Sequence, residues 1–242
     1  MKIIVILLIS LLSFVALGKS DNVKPELKII RLTDNIYQHI SYENIGSYGM
    51  VAASGLIVVN GLDAHIIDTP WSEEDTAKLI VWIEDKGLSV KSSVVTHYHE
   101  DASGGLPFLN ALNVQTYATS LTNSLLKKEG REQSVSDISS EVFEVVTDKI
   151  QIFYAGAGHT VDNIVVWLPQ DRVLFGGCFV KSLNSKSLGN IKNSSIKDWP
   201  NSIQRVINKY PDIALVVPGH GKVGDISLLQ HTKQMVLNFS KQ

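Results

Sequence analysis

The chain has 242 residues, a single cysteine, seven histidines and a formal net charge of −2. One cysteine excludes an internal disulfide framework, and a composition 44% hydrophobic and 19% charged excludes a disordered or fibrous chain. The near-neutral charge leaves no basic surplus for a phosphate backbone, which argues against nucleic acid as a partner, and the length fits one domain or two closely packed halves.

The first eighteen residues stand apart. Lys2 precedes an apolar run from Ile3 to Val15, broken only by Ser10 and Ser13, and the small residues Ala16 and Gly18 suit a cut after Gly18. That is the pattern of a cleavable signal peptide. The run is shorter than the roughly 20 apolar residues of a bilayer-spanning helix, and no cysteine follows it for lipid attachment. The expectation is an exported, periplasmic protein made of one domain, residues 19–242, monomeric and without stable membrane anchoring. A free thiol is unusual in such an oxidising compartment, so Cys178 needs an explanation.

Beyond the leader, strand-like and helical stretches alternate. Leu27 to Ile40, Met50 to Asn60 and Ala64 to Asp68 read as strands, followed by a helix opened by Ser72 with Glu73, Glu74 and Asp75 in its first turn and closed at Gly87. Ser92 to Thr96 and Gln115 to Ala118 read as strands, and Leu121 to Glu129 as a helix stopping at Gly130. Glu141 to Tyr154, Asn163 to Leu168 and Arg172 to Phe175 read as strands. A helix from Lys197 to Lys209, a strand from Ile213 to Val217 and a last helix capped by Asp225 complete an α/β or α+β layered domain.

The chemistry lies at strand ends. Ser92 to Thr96 delivers His97-Tyr98-His99-Glu100-Asp101; Gln151 to Tyr154 leads through glycines to His159; Leu215 to Val217 leads through Pro218-Gly219 to His220. A fourth strand, Val173 to Phe175, leads through Gly176-Gly177 to Cys178. Four histidines, one aspartate and one cysteine form the donor set that zinc prefers, and six donors exceed one tetrahedral site but fit two ions, each with an open position. If residues 97, 99 and 101 are extended, they project to one side and converge. His39, His65 and His231 lie inside regular runs without such neighbours and read as structural.

These segments resemble the metallo-β-lactamases of subclass B1, and among them most of all the imipenemase group. The likeness rests on His97 to Asp101, Gly158-His159-Thr160, Gly176-Gly177-Cys178 and Pro218-Gly219-His220, and extends to Ile67-Asp68-Thr69-Pro70, Val165 to Pro169, Leu188-Gly189-Asn190 and Val223-Gly224-Asp225. It implies a four-layer αβ/βα sandwich that hydrolyses the β-lactam ring of penicillins, cephalosporins and carbapenems by a zinc-bound hydroxide, conferring antibiotic resistance. It implies two Zn2+ ions per chain, the first on His97, His99 and His159, the second on Asp101, Cys178 and His220. Lys181 then matches a lysine that binds the substrate carboxylate and Asn190 an asparagine near the lactam carbonyl, with Asp101 as the third catalytic group. Asp68 matches an aspartate beneath the metals, and Tyr48 an aromatic in a flap over the substrate.

Two features depart from the family pattern. Ala102 stands where many members have arginine or serine, which removes a polar contact under the second metal, and Tyr48 stands where some have tryptophan. The rival readings are a thioesterase-like hydrolase of the same fold and a non-catalytic periplasmic zinc-binding protein. The former usually carries a histidine after the aspartate and an aspartate in place of the cysteine, whereas this chain has Ala102 and Cys178.

Overall fold

Consecutive apolar residues in the strands are buried on both faces, and that decides the layering. A computed structural model describes residues 24–241; the proposed leader, 1–18, lies outside the described residues. One sheet orders β1 (Lys28–Arg31), β2 (Ile36–Asn44), β3 (Met50–Asn60), β4 (Asp63–Ile67), β5 (Ser89–Val94), β6 (Gln115–Thr119) and β7 (Ser136–Ile138) side by side. It is antiparallel up to β4 and parallel beyond. The other comprises β8 (Val142–Val146), β9 (Ile150–Phe153), β10 (Val165–Leu168), β11 (Val173–Lys181) and β12 (Leu215–His220), in the order β12-β11-β10-β9-β8.

Alternation sends Leu56, Val58 and Ile67 of the first sheet against Ile152, Val166, Phe175 and Val217 of the second, forming the central core. The intervening residues face outward and take helices. Ile57 and Ile66 pack on Leu79, Ile80 and Ile83 of α1 (Glu73–Asp85) and on Leu109 of α3 (Leu106–Ala111). Val165, Trp167, Leu174 and Val216 pack on Trp199, Ile203 and Val206 of α5 (Trp199–Lys209) and on Leu228, Leu229 and Val236 of α6 (Ser227–Phe239). Helix, sheet, sheet and helix are the expected four layers. Ala102 of the short α2 (Glu100–Ser103) and Leu126 of α4 (Ser120–Lys128) pack with Leu106 of α3 and Ala118 of β6 at one end of the first sheet.

Several element readings hold, and others divide. Ser72 caps α1 by accepting from the Asp75 N–H at 3.2 Å, and Gly87 follows the helix with φ +74°. The single strand read from Leu27 to Ile40 is a hairpin, because Leu32 and Thr33 both turn their N–H groups onto the Ile36 carbonyl. Glu141 to Tyr154 divides at Asp148, which adopts φ +59°. The polar three-residue β7 and the short α2 and α3 carry too little periodicity to be read from sequence. Among the described residues no helix is long and apolar enough to cross a membrane.

His39 ties β2 to the end of β4, its Nε2 donating to the Asp68 carbonyl at 3.0 Å. Burial pushes its pKa down to about 4. Between pH 4 and the ordinary histidine value the unfolded chain therefore holds more protons than the native one. This site makes stability fall as pH drops through that window, by about 1.4 kcal/mol per unit. His39→Gln, which keeps a donor toward Asp68, is expected to flatten the acid limb of urea midpoints measured from pH 7 to pH 4; a limb as steep as that of the parent would contradict this.

Candidate metal centre

The ends of β5, β9 and β12 converge at one edge between the two sheets with the middle of β11, which does not stop at Phe175 but runs on through Cys178 with a register shift at Gly177. After β5 the chain passes through Val95 and Thr96 into a turn carrying His97 and His99, and α2 begins at Glu100. The segment is therefore not extended: Asp101 is helical, and convergence comes from the turn, which brings Asp101 Oδ1 to 3.4 Å from His97 Nε2. Asp68, just past β4, sits below with φ +56°, and its carboxylate accepts from the Thr96 N–H and Thr96 Oγ1, both at 2.7 Å. Burial pushes the Asp68 pKa up to about 7. Gly177 and Gly219 let β11 and the end of β12 close in, since a Cβ on Gly219 would lie 2.6 Å from both the Cys178 nitrogen and Sγ.

The six proposed donors form one cluster. The rings of His97, His99 and His159 make a triangle with centroids 4.9, 5.2 and 5.2 Å apart. Cys178 Sγ lies 3.1 Å from Asp101 Oδ2 and 3.2 Å from His220 Nε2, and His220 Nε2 lies 3.1 Å from the same carboxylate oxygen. Three overlapping donor groups result: His97, His159 and Cys178; His97, His99 and Asp101; and Asp101, Cys178 and His220.

Electrostatics and hydrogen bonding prepare these groups for a cation. Burial holds His99 down to about 4 and His159 well below its ordinary value, so both rings are neutral and carry free lone pairs at neutral pH. His220 Nδ1 donates to the Ala52 carbonyl at 2.7 Å, which fixes the ring with Nε2 facing Asp101 and Cys178. His99 Nε2 donates to Asn193 Oδ1 at 3.3 Å, which leaves Nδ1 as its free nitrogen. Burial alone would raise the Asp101 pKa, but the His220 and His97 rings facing its two oxygens outweigh it and hold the carboxyl well below its usual range. Burial, with the Asp101 charge beside it, pushes the Cys178 thiol up. His97 Nε2 and Asp101 Oδ1 are buried without a hydrogen-bond partner. Orphaned donors of these types, at these separations, fit zinc.

Above the cluster opens a cleft of about 390 Å³. Its wall includes Tyr48, His99, Asp101, His159, Lys181, Asn190 and His220. Lys181 is nearly buried, its ammonium 5.6 Å from the Trp199 ring centre, and burial lowers its pKa. Asn190 is exposed and accepts from the Lys192 N–H through Oδ1 at 3.1 Å, so its amide nitrogen remains free to donate. Tyr48 is exposed on the single 3₁₀ turn after β2. His39, His65 and His231 all stand outside the donor groups.

Other contributors carry no signal in the sequence. Thr96, Asn193, Trp71 and Arg131 act through contacts with residues distant along the chain, and no motif marks them.

A family model described as the metallo-beta-lactamase superfamily matches residues 49–220. A metallo-beta-lactamase type 2 from Pseudomonas aeruginosa is 40% identical over 218 residues, covering 90% of this chain and 87% of the relative. One from Bacteroides fragilis is 37% identical over 238 residues, covering 96% and 95%. The crystal structure of VMB-1 superposes with a TM-score of 0.88 at 59% identity, covering 89% of this chain and 98% of that one. The layered fold, the six-donor cluster and these likenesses agree: the chain belongs to the metallo-beta-lactamase superfamily.

Proposed function

We propose that the protein hydrolyses the β-lactam ring of penicillins, cephalosporins and carbapenems, conferring antibiotic resistance, with two zinc ions held by His97, His99 and His159 and by Asp101, Cys178 and His220. The observation that carries this reading is the meeting of six zinc-type donors at the floor of a cleft with Lys181 and Asn190 on its wall. Relatives named as metallo-beta-lactamases support the substrate class, and Cys178 among the donors supports subclass B1.

Zinc, when bound, supplies Lewis acidity and brings the pKa of water from about 16 to about 7. Hydrolysis adds one water across the ring amide, oxygen to the carbonyl carbon and hydrogen to the nitrogen. The Lys181 ammonium, in a poorly solvated wall, binds the substrate carboxylate and sets its orientation. Asn190 donates its free amide N–H to the lactam carbonyl, where negative charge develops. Tyr48 offers an apolar face to substrate substituents. Asp101 keeps the floor of the cleft anionic.

Ring opening, followed by the loss of lactam absorbance, is the test: turnover of all three classes is expected, with monobactams spared, and no turnover of any class would overturn the proposal. Lys181→Ala is expected to raise KM about 10- to 100-fold, the worth of a hydrogen bond to a charged group, with a smaller change in kcat. An unchanged KM would remove Lys181 from carboxylate binding. We also propose export by cleavage after Gly18, supported by Lys2 and the apolar run. The mass of the secreted protein should then lack residues 1–18, and an intact mass would contradict it.

A further inference from the structure

Tyr98, between His97 and His99, has its backbone gripped on both sides. Its N–H donates to Asp162 Oδ2 at 3.0 Å, and that oxygen also accepts from Thr122 Oγ1 of α4 at 2.8 Å. Its carbonyl accepts from Arg131 Nη1 at 2.6 Å and from Ser103 Oγ at 3.1 Å. Arg131 Nη2 donates to Ser103 Oγ at 2.8 Å, and Ser103 Oγ reaches the His99 carbonyl at 2.8 Å. One guanidinium thus fixes both the turn that carries two donors and the helix that carries a third, Asp101.

Arg131 arrives from beyond α4. Gly130, with φ +69°, ends the helix, and the Arg131 N–H turns back to the Leu126 carbonyl at 2.9 Å, so the side chain starts from an anchored backbone. Ala102, which follows Asp101, is buried against Leu106, Ala118 and Leu126 and offers no polar group there. The Arg131 side chain remains 21% exposed and forms part of the cleft wall, so the fork lies between solvent and the donor turn.

We infer that Arg131 is a positioning residue for metal binding, holding the His97–Asp101 turn in the shape that aims its donors at one point. A rigid planar fork suits two acceptors at once, whereas a lysine ammonium is a point charge on a flexible stem. Removing an outer partner that orients metal ligands lowers metal affinity about 10- to 100-fold. The inference rests on the proposed reading of His97, His99 and Asp101 as zinc ligands.

The test titrates zinc into metal-free parent, Arg131→Ala and Arg131→Lys proteins in competition with a chromophoric chelator. Visible spectra of the cobalt-loaded forms report donor geometry, and melting of the metal-free forms reports the fold. Arg131→Ala is expected to bind zinc about 10- to 100-fold more weakly with an altered cobalt spectrum, and Arg131→Lys to recover only part of the loss. If Arg131→Ala does not fold, the weaker binding of Arg131→Lys carries the inference. Parent-like affinity and spectrum in the folded variants would overturn it, whatever their melting temperatures. A parent protein that binds no zinc would instead overturn the ligand assignment itself.

Discussion

Asp101→Ala is expected to lower β-lactam turnover at least about 100-fold, beyond the usual effect of an outer-sphere change, and to leave the purified protein with less zinc than the parent. Asp101 belongs both to the group with His97 and His99 and to the group with Cys178 and His220. Its two oxygens divide between them, Oδ1 toward His97 and Oδ2 toward Cys178 and His220. Without the carboxylate, neither group keeps its anionic oxygen, and the buried His97 and half-buried His220 rings lose the carboxylate they face. Far-UV circular dichroism should match the parent, because α2 is held by backbone bonds and by Ser103 rather than by this side chain. Full zinc content with parent-like turnover would remove Asp101 from the site.

Trp199→Ala is expected to cost about 3–5 kcal/mol of stability, the range for losing a large buried aromatic. Trp199 is fully buried where α5 meets the second sheet, stacked on Phe179 with ring centres 6.3 Å apart. Its Nε1 donates to the Phe179 carbonyl at 3.0 Å, and truncation leaves that buried acceptor without its partner, an additional cost of about 1–3 kcal/mol. Trp199 also lies 6.0 Å from the His159 ring and beneath the Lys181 ammonium, so the lost packing reaches the cleft. A stability loss of less than about 1 kcal/mol from urea unfolding, at the small end for core truncations, would contradict this account.

The layered architecture was legible because the strands alternate apolar residues that serve different cores. Leu56 and Ile57, Ile66 and Ile67, or Val216 and Val217 face opposite sides of their sheets, and each side has its own partners. The donor residues were legible because they gather at strand ends with glycine beside them, and glycine there has a physical reason: Gly158 leaves no room for a Cβ beside Phe179 and Trp199. The local shape of the donor turn was not legible. An extended reading of residues 97 to 101 gives the right convergence by the wrong geometry, because four residues of α2 are too few to show a helical period. Arg131 and Asn193 were invisible for a different reason: each reaches the turn only through the tertiary fold, from 33 and 94 residues away in the pairs with Tyr98 and His99. Ala102 offers no polar contact beneath the site, while the Arg131 guanidinium, from a distant segment, donates to the Tyr98 carbonyl and Ser103 Oγ of the same turn and helix.

The proposed zinc-dependent hydrolysis meets its most direct test in one preparation of purified protein assayed on a carbapenem as isolated, after exhaustive dialysis against a chelator, and after stepwise return of zinc. Ring opening is predicted to disappear with the metal and to return as zinc refills the six-donor cluster. Undiminished ring opening by protein verified as metal-free would contradict it.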